Sequence, residues 1–512
     1  MNNEVLRSVK VLRNTAWAMI GYVLYALVGF VSRSIFIAKL GQEIAGVSTL
    51  FGSILSLLSM AELGFGSAIS IHLYKPVAEG DNQKIAVLLS LYKKACRVIA
   101  VAIFLLALGM LPFIPYFVKS AQQISNLRWY FFLYTIQTVC SYSYAYKGVL
   151  LTVSQQGYIK SNITNFFLLI CSIAQICVLY WTGSFSLYLV VYILSTLLTN
   201  IFVSSAVNRK FPALNSLAGA PLEPEEKRNI FSFIRASAID RVAVAVKSAT
   251  DNMIVSGFIS VLVTGIVGNY TMIINTVRTL VNFFFTSASD ATGNLAASAN
   301  KDVQYRTLLD MEFLALWLYG FISVGMLCTI TPFVCNIWIR SDSAALPFST
   351  LLLLILNFYL IGICWPAFSF FYAKGLLRKV PYMNILNVAL NLVISLGLVS
   401  SLGVNGVYIG TVLSYLCSNF FLVHYTVLRH HFEGKIGLFL RLFLKYVVVT
   451  ILAGVLCVRG CSCIPGESVI VRILLCTVAY NGVFLLCSWG SREFSSISQL
   501  VVTILKQVTS KN

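Results

Sequence analysis

Fourteen separate apolar stretches constrain this chain more than any other feature, each close to or above the roughly 20 residues a helix needs to cross about 30 Å of hydrocarbon. They run over 15–39, 45–74, 92–118, 128–151, 162–182, 185–206, 231–258, 261–293, 308–338, 346–373, 381–402, 405–428, 437–458 and 468–488. Inside lipid every backbone polar group must be satisfied within the protein, so only helices and closed barrels span. Unbroken apolar runs of this length select helices. The expected fold class is all-α: a polytopic membrane protein of about 14 transmembrane helices. Composition agrees, because the 512 residues are 58% hydrophobic and only 11% charged, whereas about a quarter of a soluble domain is charged. The basic start (Arg7, Lys10, Arg13) leads into the first stretch without a small-residue cleavage site, which reads as an uncleaved span and not a signal peptide.

The net charge of +19 sorts by loop. With a cytoplasmic N-terminus, 26 Lys and Arg fall in inner loops and six in outer loops or their edges. Cytoplasmic loops attract such an excess, which predicts an even number of spans with both termini cytoplasmic. It also removes nucleic acid as a partner, since few polar residues remain outside the spans to build a binding face. The longest polar stretch, NRKFPALNSLAGAPLEPEEKRN over 208–229, holds three of the eleven prolines and reads as a linker. The expected organisation is an N-terminal six-helix lobe over 1–207, a cytoplasmic linker over 208–230, a C-terminal six-helix lobe over 231–430, and two further helices with a cytoplasmic tail over 431–512. Ala45-Gly46-Val47 in the second stretch and Val267-Gly268-Asn269 in the eighth suggest duplication, as a parallel repeat about an axis along the membrane normal.

Five basic residues remain inside the stretches: Arg33, Arg241, Lys247, Arg278 and Lys445. Glu62, Asp240, Asp251 and Asp290 accompany them, and eight of these nine lie in stretches 1, 2, 7 and 8. An intramembrane charge is costly unless it faces protein or water, so it marks a pathway by default. At 1.5 Å rise per residue, Arg33 lies about 9 Å from the outer end of its stretch, Arg278 about 25 Å in from the outer side, and Arg241 about 15 Å from the inner end. Arg33, Arg241 and Arg278 are therefore the candidate substrate-binding residues, since arginine suits forked contact with phosphate oxygens. Lys247 and Asp251, spaced i, i+4, either pair structurally or act in coupling. Glu62 either changes charge in a transport cycle or is a packing carboxylate partnered by Arg33 or a backbone group. Pro332 and Pro366 permit kinks, Gly64 and Gly66 permit close helix contact, and the four histidines sit at inner ends of stretches as interfacial residues.

Nothing in the sequence suggests an enzyme, a catalytic residue or a cofactor: GxxxxGK[ST], HExxH and GxSxG are all missing. The 13 cysteines lie mostly within apolar stretches, where a thiol acts as a small hydrophobe. Cys461 and Cys463, in an expected outer loop, leave a disulfide or a metal site open, though no metal site is assigned.

The segment SRSIFIAKLGQEIAGVSTLFGSILSLLSMAELGFGSAISIHLYKPVAEGD resembles the opening of bacterial polysaccharide-biosynthesis membrane proteins. These are the oligosaccharide flippases of the multidrug/oligosaccharidyl-lipid/polysaccharide exporter superfamily. Weaker echoes occur at Thr250-Asp251-Asn252, VGNYTMIINTVRTLVN, Asn336-Ile337-Trp338-Ile339, Tyr372-Ala373-Lys374-Gly375 and Asn405-Gly406-Val407. The resemblance implies a transporter that moves a polyprenyl-diphosphate-linked oligosaccharide across the bacterial cytoplasmic (inner) membrane, with two lobes rocking about a cationic cavity. Its expected partners are the lipid-linked oligosaccharide, membrane lipids, and a glycan polymerase or glycosyltransferases. Two rivals stand beside it: a cation-coupled multidrug exporter of the same superfamily, and a non-transporting scaffold for glycan enzymes.

Overall fold

A computed structural model describes the backbone of residues 3–62, 64–119, 124–215, 224–298, 300–373, 376, 380–432, 435–463 and 468–499. Within these, side chains are described except at 3–18, 20, 61, 215, 235–240, 244, 248, 284, 286–298 and 430–431. Asp240, Asp290, His430, His431, Lys374 and the linker residues 216–223 thus lie outside the described side chains. The described residues are predominantly helical with no strand, and eleven helices are long and apolar enough to span a membrane. The protein is an all-α polytopic membrane protein.

The chain divides into two compact units, Met1–Gly268 and Asn269–Asn512. In the first, α1 runs over Asn3–Leu58 with a break at Gly41 (φ 86°, ψ 165°), in the positive-φ region that glycine alone enters at no steric cost. A 3-10 turn over Ser59–Glu62 and a left-handed Gly64 (φ 84°) separate it from α2, Phe65–Glu79. The expected continuous second span, 45–74, is therefore interrupted in its middle. Next come α3 (Asn82–Met110), α4 (Leu127–Ser141) and α5 (Ala145–Val153). The expected fourth span, 128–151, is thus also split, at residues 142–144. The unit continues with α6 (Gly157–Thr182), α7 (Phe185–Lys210) and α8 (Pro224–Ile254), while α9 (Val261–Ser298) carries the chain into the second unit.

The core of the first unit forms where α1, α4, α6 and α7 bury Phe36, Phe51, Ile54, Phe131, Leu179 and Phe185. The Phe51 and Phe131 rings meet edge to face at 5.1 Å, the orientation that ring quadrupoles favour. Gly46 packs against the backbone of Val261, and a side chain there would strike the Val261 carbonyl. A Cβ at Gly268 would lie 3.0 Å from the Thr49 hydroxyl. The α1 segment around Gly46 thus packs against the first turns of α9, over 261–268.

In the second unit, α10 spans Lys301–Pro332 and continues as a π-helix to Trp338, so Pro332 ends the α-helical register. α11 (Phe348–Ile363) stops at Cys364 and α12 (Trp365–Ala373) restarts with Pro366 as its second residue, a first-turn position where the missing N–H costs nothing. α13 (Val380–Leu402), α14 (Val404–Tyr415), α15 (Phe421–His431), α16 (Ile436–Ser462) and α17 (Val469–Ser488) complete it. A seam of buried polar groups joins α13 to α14: Asn391 donates to the Thr411 hydroxyl at 3.1 Å and Ser395 to the Val407 carbonyl at 3.1 Å. Small hydroxyl and amide residues hold helices together in lipid, where apolar contact alone gives little preference for protein over acyl chains. α16 and α17 pack on α10 through Phe313, Tyr446, Tyr480 and Phe484.

Candidate functional site

The intramembrane charges fall into distinct environments within each unit. Arg33, on α1 two turns before the Gly41 break, is half-buried with its guanidinium 5.8 Å from the centre of the Phe36 ring. This is a cation–π arrangement, and Phe36 follows at i+3 on the same helix face. Tyr134 and Tyr188 are its electrostatic neighbours. A Cβ at Gly268 would sit 3.6 Å from Arg33 Nη2, so the glycine leaves the guanidinium its room.

Glu62 lies in the interrupted second span and accepts a hydrogen bond from the Tyr92 hydroxyl at 3.1 Å. Its described partner is thus a tyrosine on α3, not Arg33 or a backbone group. A Cβ at Gly66 would come within 2.9 Å of Glu62 Oε1 and 2.8 Å of the Tyr92 oxygen. The Gly64-Phe65-Gly66 sequence both turns the chain and clears the carboxylate. Arg241, exposed on α8, donates to the Ser67 hydroxyl, one residue beyond Gly66. The first unit therefore brings Arg241 and Glu62 to the same helix break and places Arg33 on a separate stretch of α1. α8 is continuous over Lys247 and Asp251, which stand one turn apart on one face.

In the second unit Arg278, on α9, donates to Asn275 Oδ1 at 3.2 Å and stacks 5.8 Å from the Phe358 ring centre. Its Nε is buried without a hydrogen-bond partner, and among the described residues no carboxylate pairs with it. Buried polar atoms are nearly always satisfied, so an orphan guanidinium nitrogen is a place where an external acceptor gains most. Lys445, exposed on α16, lies 4.9 Å from the Tyr446 ring centre and extends its stem along an aromatic surface.

The sequence inventory of charges leaves out Asp310 and Glu312, both within the ninth stretch. Asp310 accepts from the Ser496 hydroxyl at 2.8 Å and pairs with Arg492 at 3.6 Å. Glu312 is fully buried, and its Oε1 lies 3.2 Å from His424 Nε2. His424, expected at an interface, is instead buried among Phe420, Phe439 and Phe443. Its Nδ1 lies 2.8 Å from the Phe420 carbonyl, which can only accept, so Nδ1 carries a proton. The Glu312–His424 contact then holds one proton, on either partner, and the pair is neutral overall. A helical i−4 carbonyl one turn before a histidine was the available signal for a fixed tautomer, but the 112-residue separation hides the acid.

Of the thiols, Cys463 is exposed while Cys461 is buried with its Sγ 3.8 Å from that of Cys476. Cys461 thus faces α17, not its near neighbour in sequence. Together with Cys328 these are three sulfurs within 4.8 Å of one another, the one described cluster with the spacing of a metal site.

No family model matches the sequence, and no curated protein is similar to it in sequence. Solved structures do match. A lipid II flippase, MurJ, in an inward closed conformation aligns with a TM-score of 0.71 at 12% identity, covering 92% of this chain and 98% of its own. An inward-facing multidrug-resistance MATE transporter of the MOP superfamily aligns at 0.61 with 15% identity, covering 80% and 98%. A MOP-superfamily transporter from Pyrococcus furiosus, whose binding pocket is described as having reverse polarity, aligns at 0.53 with 17% identity, covering 81% and 95%. The chain has the fold of the MOP-superfamily membrane transporters.

Proposed function

We propose that this protein is a flippase that carries a polyprenyl-diphosphate-linked oligosaccharide across the bacterial cytoplasmic membrane for surface polysaccharide assembly. Two six-helix lobes, 1–207 and 231–430, alternate access, and both termini are cytoplasmic. The observation that carries this reading is the Arg278 guanidinium: within an apolar helix it has no acidic partner among the described residues and keeps a buried Nε unsatisfied. A diphosphate supplies the missing acceptors and charge, and its contacts with arginine are charge-assisted and forked. Arg33, ringed by Phe36, Tyr134 and Tyr188, offers a second cation in the first unit, and Arg241 a third. Glu62, Lys247 and Asp251 are the residues through which such movement would be coupled or held. The similarity to a lipid II flippase supports a lipid-linked passenger.

A multidrug exporter remains the second reading, supported by the similarity to a MATE transporter, but cationic drugs are disfavoured where basic side chains outnumber acidic ones. The test is surface glycan appearance in cells carrying Arg33→Ala and Arg278→Ala. Loss of a charge-assisted contact, about 1.5–3 kcal/mol, predicts a fall of at least roughly tenfold in export with the protein still in the membrane. Undiminished export in both variants overturns the assignment.

A further inference from the structure

The thiol cluster of the second unit is used by none of this. Cys328 comes from α10, Cys461 from α16 and Cys476 from α17, all three buried, with their sulfurs within 4.8 Å of one another. We propose that these three cysteines bind a zinc ion that ties α16 and α17 to α10.

The geometry supports it first. Zinc binds thiolate at about 2.3 Å in a tetrahedron, so two ligand sulfurs should stand about 3.8 Å apart by the same geometry. The Cys461 and Cys476 sulfurs stand 3.8 Å apart before any ion is placed. Cys457, buried one turn before Cys461 on α16, neighbours Cys476 but lies outside the three-sulfur cluster.

Charge supports it next. Three thiolates and Zn²⁺ sum to one negative charge, which low-dielectric surroundings would penalise. Arg472 is at hand to balance it: its Nη1 donates to the Cys328 carbonyl at 3.4 Å, while its Nε is buried with no hydrogen-bond partner. A cation beside thiols lowers the cost of deprotonating them. Access is provided as well, by a cavity of about 420 Å³ lined by Cys328, Cys461, Arg472 and, as its acidic member, Asp342. Among the described residues no carboxylate or imidazole joins the three sulfurs in the cluster, and an all-sulfur donor set selects soft, thiophilic ions over Mg²⁺ or Ca²⁺.

The experiment uses the full chain, purified, stripped with a chelator and returned to Zn²⁺ or to Co²⁺ as a spectroscopic stand-in. The expected result is about one metal per chain, with intense sulfur-to-cobalt charge-transfer absorption of a thiolate site. Cys461→Ser with Cys476→Ser should weaken binding at least tenfold, Arg472→Gln should weaken it less, and Cys463→Ser, at the exposed thiol, should leave it unchanged. Zn²⁺ should raise the unfolding temperature of the unaltered protein and not that of the double variant. Equal metal uptake by the unaltered and double-variant proteins overturns the site. So does a Cys461–Cys476 disulfide as the native state, found by mass spectrometry of the unreduced chain. Neither readout depends on the transported molecule.

Discussion

Arg278 and the Glu312–His424 pair are two ways of keeping ionisable groups in the same unit of a membrane protein. The pair is closed: acid and base lie 3.2 Å apart, and the imidazole's other nitrogen donates to a carbonyl. Phenylalanines cover the ring. Arg278 is open: its neighbours are an amide, an aromatic face and tyrosine hydroxyls, and one guanidinium nitrogen has no acceptor. A closed pair contributes to structure, because neither member has capacity to spare beyond the buried Glu312 Oε2. An open cation raises the cost of the unliganded state and lowers that cost when an anion arrives. The difference separates charges compensated inside the unit from one that leaves a buried donor without an acceptor.

The largest effect should come from breaking the closed pair. Glu312→Ala leaves the buried His424 Nε2 without its partner and opens a cavity, and should destabilise the protein by about 3–5 kcal/mol, seen as a lowered unfolding temperature in detergent. Replacing both partners, Glu312→Leu with His424→Leu, should recover much of that loss, because a packed apolar pair leaves no buried polar atom unpaired. A single variant as stable as the unaltered chain would show that the pair is not closed.

A smaller effect is expected at the Glu62 break. Tyr92→Phe removes the hydroxyl that donates to Glu62, a charge-assisted bond worth about 1.5–3 kcal/mol, and should speed hydrogen exchange in the residues around the break. Unchanged exchange there would mean that Gly64 and Gly66 shape the break without help from the bond.

The smallest stability effect belongs to Arg278→Ala. Removing an uncompensated cation should change unfolding by less than about 1 kcal/mol and, if the proposed function holds, reduce transport. Arg278→Lys, which keeps charge but loses the planar fork, should retain part of the activity. A strongly destabilised Arg278→Ala would move this residue into the same class as Glu312.

Much of the helix inventory was legible because lipid leaves few choices. The stretch 381–402 became Val380–Leu402, and 437–458 became Ile436–Ser462. Hydropathy reports length and depth but not backbone continuity, so it passed over the turn at 59–62, the left-handed Gly64 and the break at 142–144. The paired glycines of Leu63-Gly64-Phe65-Gly66 were the available signal for the first, since a left-handed residue after an apolar run ends a helix.

What the amino-acid sequence determined by itself was therefore the solvent: fourteen apolar stretches, the basic loops, and the positions of Arg33, Arg241 and Arg278 along them. The tertiary structure alone decided which charges are compensated. Glu312 meets His424 across 112 residues, and Cys328, Cys461 and Cys476 meet from three helices. The reason is geometric: a helix fixes which face a residue occupies, whereas partners on other helices are chosen by packing, which periodicity along one segment does not encode.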